Sequence, residues 1–260
     1  MTQKILKPSS SYFLSQTFWR VLRNLVGKNI WTFFYKLSQK IKIFSKFSIL
    51  KKSNLNLKEN LDYPIYKNSE IKKTNNFSYY LKKYKSSKPE GEYRDFLDNL
   101  LSDTQNKYKT ILEIGISEGA GIFSLRDYYS NSYIWGVDID PATFITNETQ
   151  IKKCDCVDQL KLNSLTLNAE KFSTKYDLIV DDGWHHPESQ INSLIAYLPY
   201  LNLNGLYIVE DIVHRDYYKI FLRVKDILAQ KNFEVSYHKF HVPGKAGISD
   251  LLGYMTIKRK

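Results

Sequence analysis

The chain has 260 residues, of which 43% are hydrophobic and 25% charged, which is the composition of an ordinary globular protein. Its net charge of +11 is unevenly distributed: residues 1–58 contain twelve Lys and Arg and no acid, whereas the rest carries 26 basic and 27 acidic residues. This distribution excludes a uniformly basic protein and indicates a nearly neutral domain preceded by a strongly basic arm.

The compartment that the sequence favours is the cytoplasm. The two cysteines, Cys154 and Cys156, are not expected to form a structural disulfide or a zinc site, in keeping with a reducing environment. No signal peptide is visible, and the uncharged stretch near the start of the sequence, Pro8 to Trp19, falls well short of the roughly 20 residues that a membrane span requires.

Residues 1–55 predict a basic amphipathic helical arm, because apolar residues recur at helical spacing with Lys and Arg beside them. Three explanations remain open for this arm. Its apolar face could dock on the rest of the chain or on a second subunit of a homo-oligomer. It could lie on the anionic inner face of a membrane. It could also bind nucleic acid, although the near-neutral charge of the remaining chain argues against a nucleic-acid partner.

The next segment, 56–91, is rich in Asn and Lys and lacks periodicity, so it predicts a linker or an irregular cap. From 92 to 260 the sequence predicts one domain, which begins with a helix over 92–102. Strand candidates follow at 110–114, 133–137, 151–157, 176–180, 205–209, 233–240 and 252–258, with the clearest helices at 187–198 and 217–230. This alternation predicts an α/β fold: a Rossmann-like, doubly wound, mostly parallel seven-stranded sheet with a C-terminal antiparallel hairpin.

A glycine-rich loop follows the first strand of this domain. Glu113, Gly115 and Gly119 belong to a segment in which glycines let the backbone turn sharply and approach a ligand, before a helix that offers free N–H groups. The spacing is not the Gly-x-Gly-x-x-Gly dinucleotide pattern. About 20 residues later the second strand ends in Asp138, an acid that can accept hydrogen bonds from ribose hydroxyls.

Two clusters of acids follow the fourth and fifth strands, at Asp181-Asp182 and at Glu210-Asp211. Since the carboxyl ends of neighbouring parallel strands meet at one edge of the sheet, these carboxylates are expected to converge. Carboxylates held together repel one another, and a bound cation compensates for that repulsion. Oxygen ligands suit Mg²⁺ or Mn²⁺ better than zinc. Capping of the following segments is the alternative explanation of these acids.

These motifs resemble those of class I S-adenosylmethionine-dependent methyltransferases. More narrowly, the segments 111–115, 126–129 and 136–140 resemble a bacterial subgroup that contains metal-dependent macrolide-sugar O-methyltransferases and cephalosporin-hydroxylase-like proteins. The resemblance covers about residues 108–258 and leaves the basic arm unexplained.

The resemblance implies a set of site residues. It places Asp158 and Gln159 against the adenine of S-adenosyl-L-methionine, with Asp155 as a competing candidate for that contact. It implies Mg²⁺ ligands at Asp182, Glu210 and Asp211, and a general base at His185. His186 matches a residue often found in the subgroup, and the sequence predicts that it faces away or caps the helix that begins near Pro187.

The function expected from these features is metal-assisted methylation of a hydroxyl group on a saccharide or related polar small molecule, with S-adenosyl-L-methionine as the methyl donor. Two alternatives remain: an RNA methyltransferase that uses the basic arm, and a non-catalytic, membrane-associated protein that binds the cofactor. The near-neutral charge of the catalytic segment disfavours the first, and the clustered acids with His185 disfavour the second.

Overall fold

The computed structural model describes residues 46–47, 76–141, 149–213, 215–241 and 251–260. The predicted arm therefore lies outside the described residues apart from Lys46 and Phe47, and so does most of the predicted linker.

A seven-stranded sheet forms the centre of the domain. Its strands are β1 (Thr110–Ile114), β2 (Tyr133–Asp138), β3 (Ile151–Cys156), β4 (Tyr176–Asp181), β5 (Leu201–Ile212), β6 (Phe233–His241) and β7 (Leu251–Arg259). They are arranged in the order β3-β2-β1-β4-β5-β7-β6. The pairs among β1 to β5 are parallel, whereas β7 runs antiparallel to both β5 and β6. The predicted fold class is confirmed.

Helices connect the strands and cover the sheet. They are α1 (Phe77–Lys83), α2 (Glu92–Leu101), α3 (Ala120–Tyr128), α4 (Leu162–Phe172), α5 (Pro187–Tyr197) and α6 (Arg215–Ala229). Helix α1 packs against α2 and α3, whereas α4 packs against α5, and α6 packs against α5 and β6. Leu81, Leu97 and Leu125 of the first group share one core cluster with Ile111 and Val180 of the sheet. The burial of such apolar faces is the main force that stabilises each helix on the sheet.

Helix α1 lies within the segment that the sequence predicts to be irregular, so that expectation is wrong at these residues. Phe77 and Leu81 are one helical turn apart and both are buried. The backbone N–H and the hydroxyl of Ser78 donate to the carboxylate of Asp98 on α2, at 2.7 and 2.5 Å. Two apolar residues in a seven-residue helix are too few to show a period, so only its tertiary packing reveals α1.

Both cysteines are free thiols: Cys154 is partly buried and Cys156 is exposed. Within the ranges given above, no helix is both long and apolar enough to cross a bilayer.

Candidate functional site

The glycine loop after β1 and the turn after β4 lie against each other at the carboxyl edge of the sheet. Gly115 has a φ of +87° and Gly119 a φ of +90°, a backbone region that favours glycine. A Cβ atom at Gly115 would collide with the backbone of Asp182 and Gly183. Only a glycine permits this close approach. The loop expected to hold the cofactor is therefore in direct contact with the turn expected to hold the metal.

Asp138, expected to contact a ribose, fixes the conformation of the glycine loop. One carboxylate oxygen accepts hydrogen bonds from the backbone N–H groups of Ile116 and Ser117, at 2.6 and 2.9 Å. The other accepts from the backbone N–H of Asp140, at 3.0 Å. The oxygen bonded to Asp140 has a second lone pair that could accept from a hydroxyl group. Asp138 therefore shapes the loop and still retains the capacity to bind a polyol.

Glu113 lies beneath the glycine loop and not on an open surface. Its side chain is 1% exposed, and burial raises its carboxyl pKa well above the usual range. The carboxylate fills the space that a Cβ atom at Gly121 would occupy, and it lines a small internal cavity together with Lys88 and Glu210. Glu113 thus lies against the first turn of α3, and its expected contact with the cofactor stays a prediction.

Gln159 braces the turn after β4. Its amide nitrogen donates to the Asp181 carboxylate at 3.0 Å and to the Ser193 hydroxyl at 2.9 Å. Its amide oxygen accepts from the backbone N–H of Trp184 at 2.7 Å. Both ends of the amide are therefore used within the protein. These bonds give Gln159 a structural role in addition to the contact with an adenine that the sequence leads us to expect.

The two acids near Gln159 have local partners. Asp158 accepts from the backbone N–H of Leu160 at 3.0 Å and forms an ion pair with Lys161 at 3.1 Å. The competing candidate, Asp155, accepts from Asn168 at 2.9 Å and from Lys171 at 2.7 Å, both on α4. Asp155 is thereby tied to α4 and Asp158 to its own turn, and the two side chains are about equally exposed, at 18% and 19%.

Asp182, His185 and Asp211 come together at the ends of β4 and β5. One potential ligand atom from each lies within 4.8 Å of the others. His185 Nε2 is 3.6 Å from Asp211 Oδ2, and the hydroxyl of Tyr254 donates to Asp211 Oδ1 at 2.6 Å. Both acid clusters therefore lie at one edge of the sheet, as the sequence predicts. Tyr254 packs from the antiparallel strand β7, and nothing in the sequence indicates its bond to Asp211.

A distorted backbone directs Asp211 into this cluster. Successive residues in a regular strand point to opposite faces, so Glu210 and Asp211 would normally diverge. Asp211 has a φ of +51°, and the pairing of β5 with β7 changes register between Val209 and Ile212. A positive φ at a non-glycine residue costs of order 1–3 kcal/mol and is often retained at functional sites.

Glu210 has a different partner. Its side chain is 2% exposed, and its carboxylate forms a short ion pair with the ammonium of Lys88, which also binds Asp182 at 2.6 Å. Burial opposes the charged ammonium, but the carboxylates of Asp182 and Glu210 outweigh it and raise the Lys88 pKa. Lys88 is therefore charged and occupies a cation position between two of the three expected metal ligands. In the sequence this lysine belongs to a turn and gives no sign of this role.

Neighbouring side chains fix the approach to the cluster. Gln190 donates from its amide to the backbone carbonyl of Glu210 at 2.7 Å. His186 caps α5, since its Nδ1 accepts from the backbone N–H of Glu188 at 3.3 Å, which confirms the predicted cap. Trp184, the residue before His185, is 54% exposed and presents a large aromatic surface.

The donor atoms of the cluster suit a divalent cation. Asp182 and Asp211 offer carboxylate oxygens, which Mg²⁺ and Mn²⁺ prefer, and His185 offers an imidazole nitrogen. The side chains of Asp182 and Asp211 are 25% and 17% exposed, so they are accessible to an ion from solvent. His185 Nδ1 is buried and forms no hydrogen bond with any residue that the structure describes.

The strand order and the terminal hairpin are those of a Rossmann-like methyltransferase. The chain resembles demethylmacrocin O-methyltransferase of Streptomyces fradiae, to which it is 27% identical over 122 residues. It also resembles mycinamicin VI 2''-O-methyltransferase of Micromonospora griseorubida, at 25% identity over 122 residues. Each alignment covers 44% of this chain and 30% of the relative. The resemblance to the macrolide O-methyltransferase subgroup of class I enzymes is thus confirmed.

A solved structure shows the same fold. MycE methyltransferase of the mycinamycin biosynthetic pathway, in complex with Mg, SAH and mycinamycin VI, superimposes with a TM-score of 0.58 at 19% identity. The match covers 72% of this chain and 56% of that chain. No family model matches the chain. The present chain therefore spans little more than half of MycE and a smaller share of the curated relatives.

Proposed function

We propose that this protein transfers a methyl group from S-adenosyl-L-methionine to a hydroxyl of a saccharide or related polar small molecule, with help from Mg²⁺ or Mn²⁺. The observation that carries the proposal is the cluster of Asp182, His185 and Asp211, directly beside the loop at Gly115. Methyl transfer requires the acceptor oxygen and the methyl carbon to be held about 3 Å apart in line. A site in which the cofactor loop touches the metal turn can supply that alignment.

The glycine loop is proposed to bind the cofactor. Gly115 and Gly119 let the backbone approach its methionine portion, with Asp138 positioned for the ribose and Asp158 and Gln159 for the adenine. The free lone pair on Asp138 and the partial exposure of Asp158 support these assignments. Glu113 is also proposed to contact the cofactor, as the sequence predicts.

The metal is proposed to bind Asp182 and Asp211. The resemblance adds Glu210, whose carboxylate pairs with Lys88. A divalent cation bound there lowers the pKa of an acceptor hydroxyl and fixes its position. Tyr254 holds Asp211 by a hydrogen bond, and Gln159 holds the Asp182 turn, so the chain keeps both carboxylates in place.

His185 is proposed to take the proton from the acceptor hydroxyl at Nε2. A neutral imidazole can act as a base, and general-base catalysis contributes roughly 10²–10⁴ in rate. Asp211, 3.6 Å from Nε2, stabilises the imidazolium that forms. The side chain of His185 is 35% exposed, which leaves it within reach of a substrate.

The acceptor class follows from the resemblance and from the surface at the site. Both curated relatives are macrolide O-methyltransferases, and the second methylates a 2''-hydroxyl by its name. The exposed ring of Trp184 offers an apolar face against which a sugar ring can pack. A saccharide hydroxyl is therefore the acceptor that we favour.

A transfer assay with labelled S-adenosyl-L-methionine tests the proposal. Acceptors should include nucleotide sugars, oligosaccharides and small alcohols, each with Mg²⁺ and with EDTA. We expect turnover of at least one hydroxyl acceptor, its loss with EDTA, and its loss in His185→Ala with nearly unchanged cofactor affinity. His186→Ala is the matched control, because this neighbouring histidine caps α5 and has no proposed part in the proton transfer. Turnover that is insensitive to EDTA would refute the metal assignment.

A further inference from the structure

The proposed mechanism leaves one buried charged group without a role, the ammonium of Lys88. Lys88 lies between α1 and α2, far along the chain from both of its partners. Its side chain is 7% exposed, and its ammonium binds the carboxylates of Asp182 and Glu210 at once. A buried ammonium is costly unless it is paired, and here both partners are carboxylates from the edge of the sheet where the metal is proposed to bind.

The backbone around Lys88 is fixed. Arg94, itself 8% exposed, donates to the backbone carbonyl of Lys88 from Nε at 3.3 Å and from a terminal nitrogen at 2.9 Å. The same guanidinium donates to the carbonyl of Ser86 at 3.3 Å, and the backbone N–H of Lys88 donates to the Ser86 hydroxyl at 3.3 Å. Because both the backbone and the ammonium are held, Lys88 is a permanent component of the site and not a surface lysine that visits it.

We propose that Lys88 is a built-in cation that removes Glu210 from the metal coordination shell, so that the divalent ion binds through Asp182 and Asp211 beside His185. This inference rests on the metal site of the proposed function. The formal charges agree with it: in their ionised forms Asp182, Glu210 and Asp211 carry three negative charges, which one ammonium and one divalent ion would neutralise. The geometry also agrees, since the cluster with ligand atoms within 4.8 Å contains Asp182, His185 and Asp211.

The ammonium and the ion also compete. Both are attracted to Asp182, and they repel each other across a few ångströms of partly buried protein, where unit charges interact by several kcal/mol. Lys88 therefore weakens metal binding and sets a lower affinity than the three carboxylates would give alone. Removing Lys88 frees Glu210 to become a ligand and removes the repulsion.

Direct binding of Mn²⁺, followed by the electron paramagnetic resonance signal of the free ion, tests this inference without a substrate. We expect Glu210→Gln to change the Kd of the full chain less than about twofold, whereas Asp211→Asn raises it at least tenfold. Lys88→Met should lower the Kd at least tenfold, and in that background Glu210→Gln should raise it at least tenfold. Lys107→Met, at an exposed position, controls for the change in net charge.

Each other outcome is decisive. If Glu210→Gln weakens binding as much as Asp211→Asn does, Glu210 is a ligand and the inference fails while the proposed metal site stands. If Lys88→Met does not fold, the comparison of Glu210→Gln with Asp211→Asn still tests whether Glu210 is a ligand, because both variants keep Lys88. An unchanged or higher Kd in folded Lys88→Met would overturn the competition. Binding to Lys88→Met alone would confirm Lys88 as the competing cation but contradict metal assistance in the natural chain. Failure of every variant to bind would contradict both.

Discussion

Gln159 offers a direct test of how the turn that carries Asp182 is held. Its amide makes three hydrogen bonds, to Asp181, Ser193 and the backbone of Trp184. Asp181 is fully buried; burial raises its pKa to about 7, and the amide of Gln159 opposes that rise. Gln159→Ala removes all three bonds and leaves a buried carboxyl with less support.

The magnitude follows from the partners. A hydrogen bond to a group that can be charged contributes about 1.5–3 kcal/mol, and an ordinary one about 1 kcal/mol. Trp184 is exposed, so water can replace its bond. The expected loss in the free energy of unfolding is therefore about 2.5–4 kcal/mol, with the larger part from Asp181.

Urea denaturation measures this loss as a shift of the midpoint at a constant slope. Gln150→Ala is a matched control, because that amide makes a bond to the Ser130 carbonyl at the outer edge of the sheet, and we expect it to lose about 1 kcal/mol. A loss below about 1.5 kcal/mol in Gln159→Ala would refute the bracing role. An unchanged stability with a tenfold weaker affinity for S-adenosyl-L-methionine would show that Gln159 serves the cofactor alone.

Three further perturbations test other parts of the structure. Gly115→Ala should weaken binding of S-adenosyl-L-methionine at least tenfold by calorimetry, because its Cβ collides with the turn at Asp182 and its positive φ adds about 1–3 kcal/mol of strain; unchanged affinity would contradict the close approach. Tyr254→Phe removes the hydrogen bond to Asp211 and should raise the Kd for Mn²⁺ severalfold; an unchanged Kd would mean that Asp211 needs no such support. Asp127 has a pKa lowered to about 2, because hydrogen bonds from Lys83, Tyr84 and Arg126 outweigh the effect of its burial. The ionised Asp127 carboxylate therefore contributes about 2 kcal/mol to the free energy of unfolding above pH 4, and this contribution is lost as the pH falls toward 2. In urea titrations, Asp127→Asn should be less stable than the natural chain at pH 7 and equally stable near pH 2.

The sheet could be predicted because its strands carry their own signals. The interior strands β1 and β4 are short and apolar, and each is followed by a glycine or an acid that ends it at the ligand-binding edge. In the hairpin, β6 begins with apolar residues at every second position, and β7 is a nearly continuous apolar run. These are local patterns, and a local pattern is what a single sequence displays.

The details of the site depended on contacts between distant residues. Lys88 lies 94 residues before Asp182 and 122 before Glu210, so nothing near it in the sequence indicates an ion pair. The side-chain amide of Gln159 can bind a ligand or the protein equally well. Which of the two it binds depends on the position of α5, and the sequence near Gln159 does not indicate that position. The positive φ of Asp211 arises from the irregular pairing of β5 and β7. The acids were correctly placed at one edge, but their partners were not predictable.

The central claim is that this domain binds S-adenosyl-L-methionine beside a divalent metal. Titration calorimetry with S-adenosylhomocysteine, in Mg²⁺ buffer, tests it most directly. We expect saturable binding at one site per chain, with a gain in unfolding free energy of about 2.7 kcal/mol when the ligand is at 100 times its Kd. Absence of both the binding heat and the gain in stability would contradict the account, whatever the acceptor proves to be.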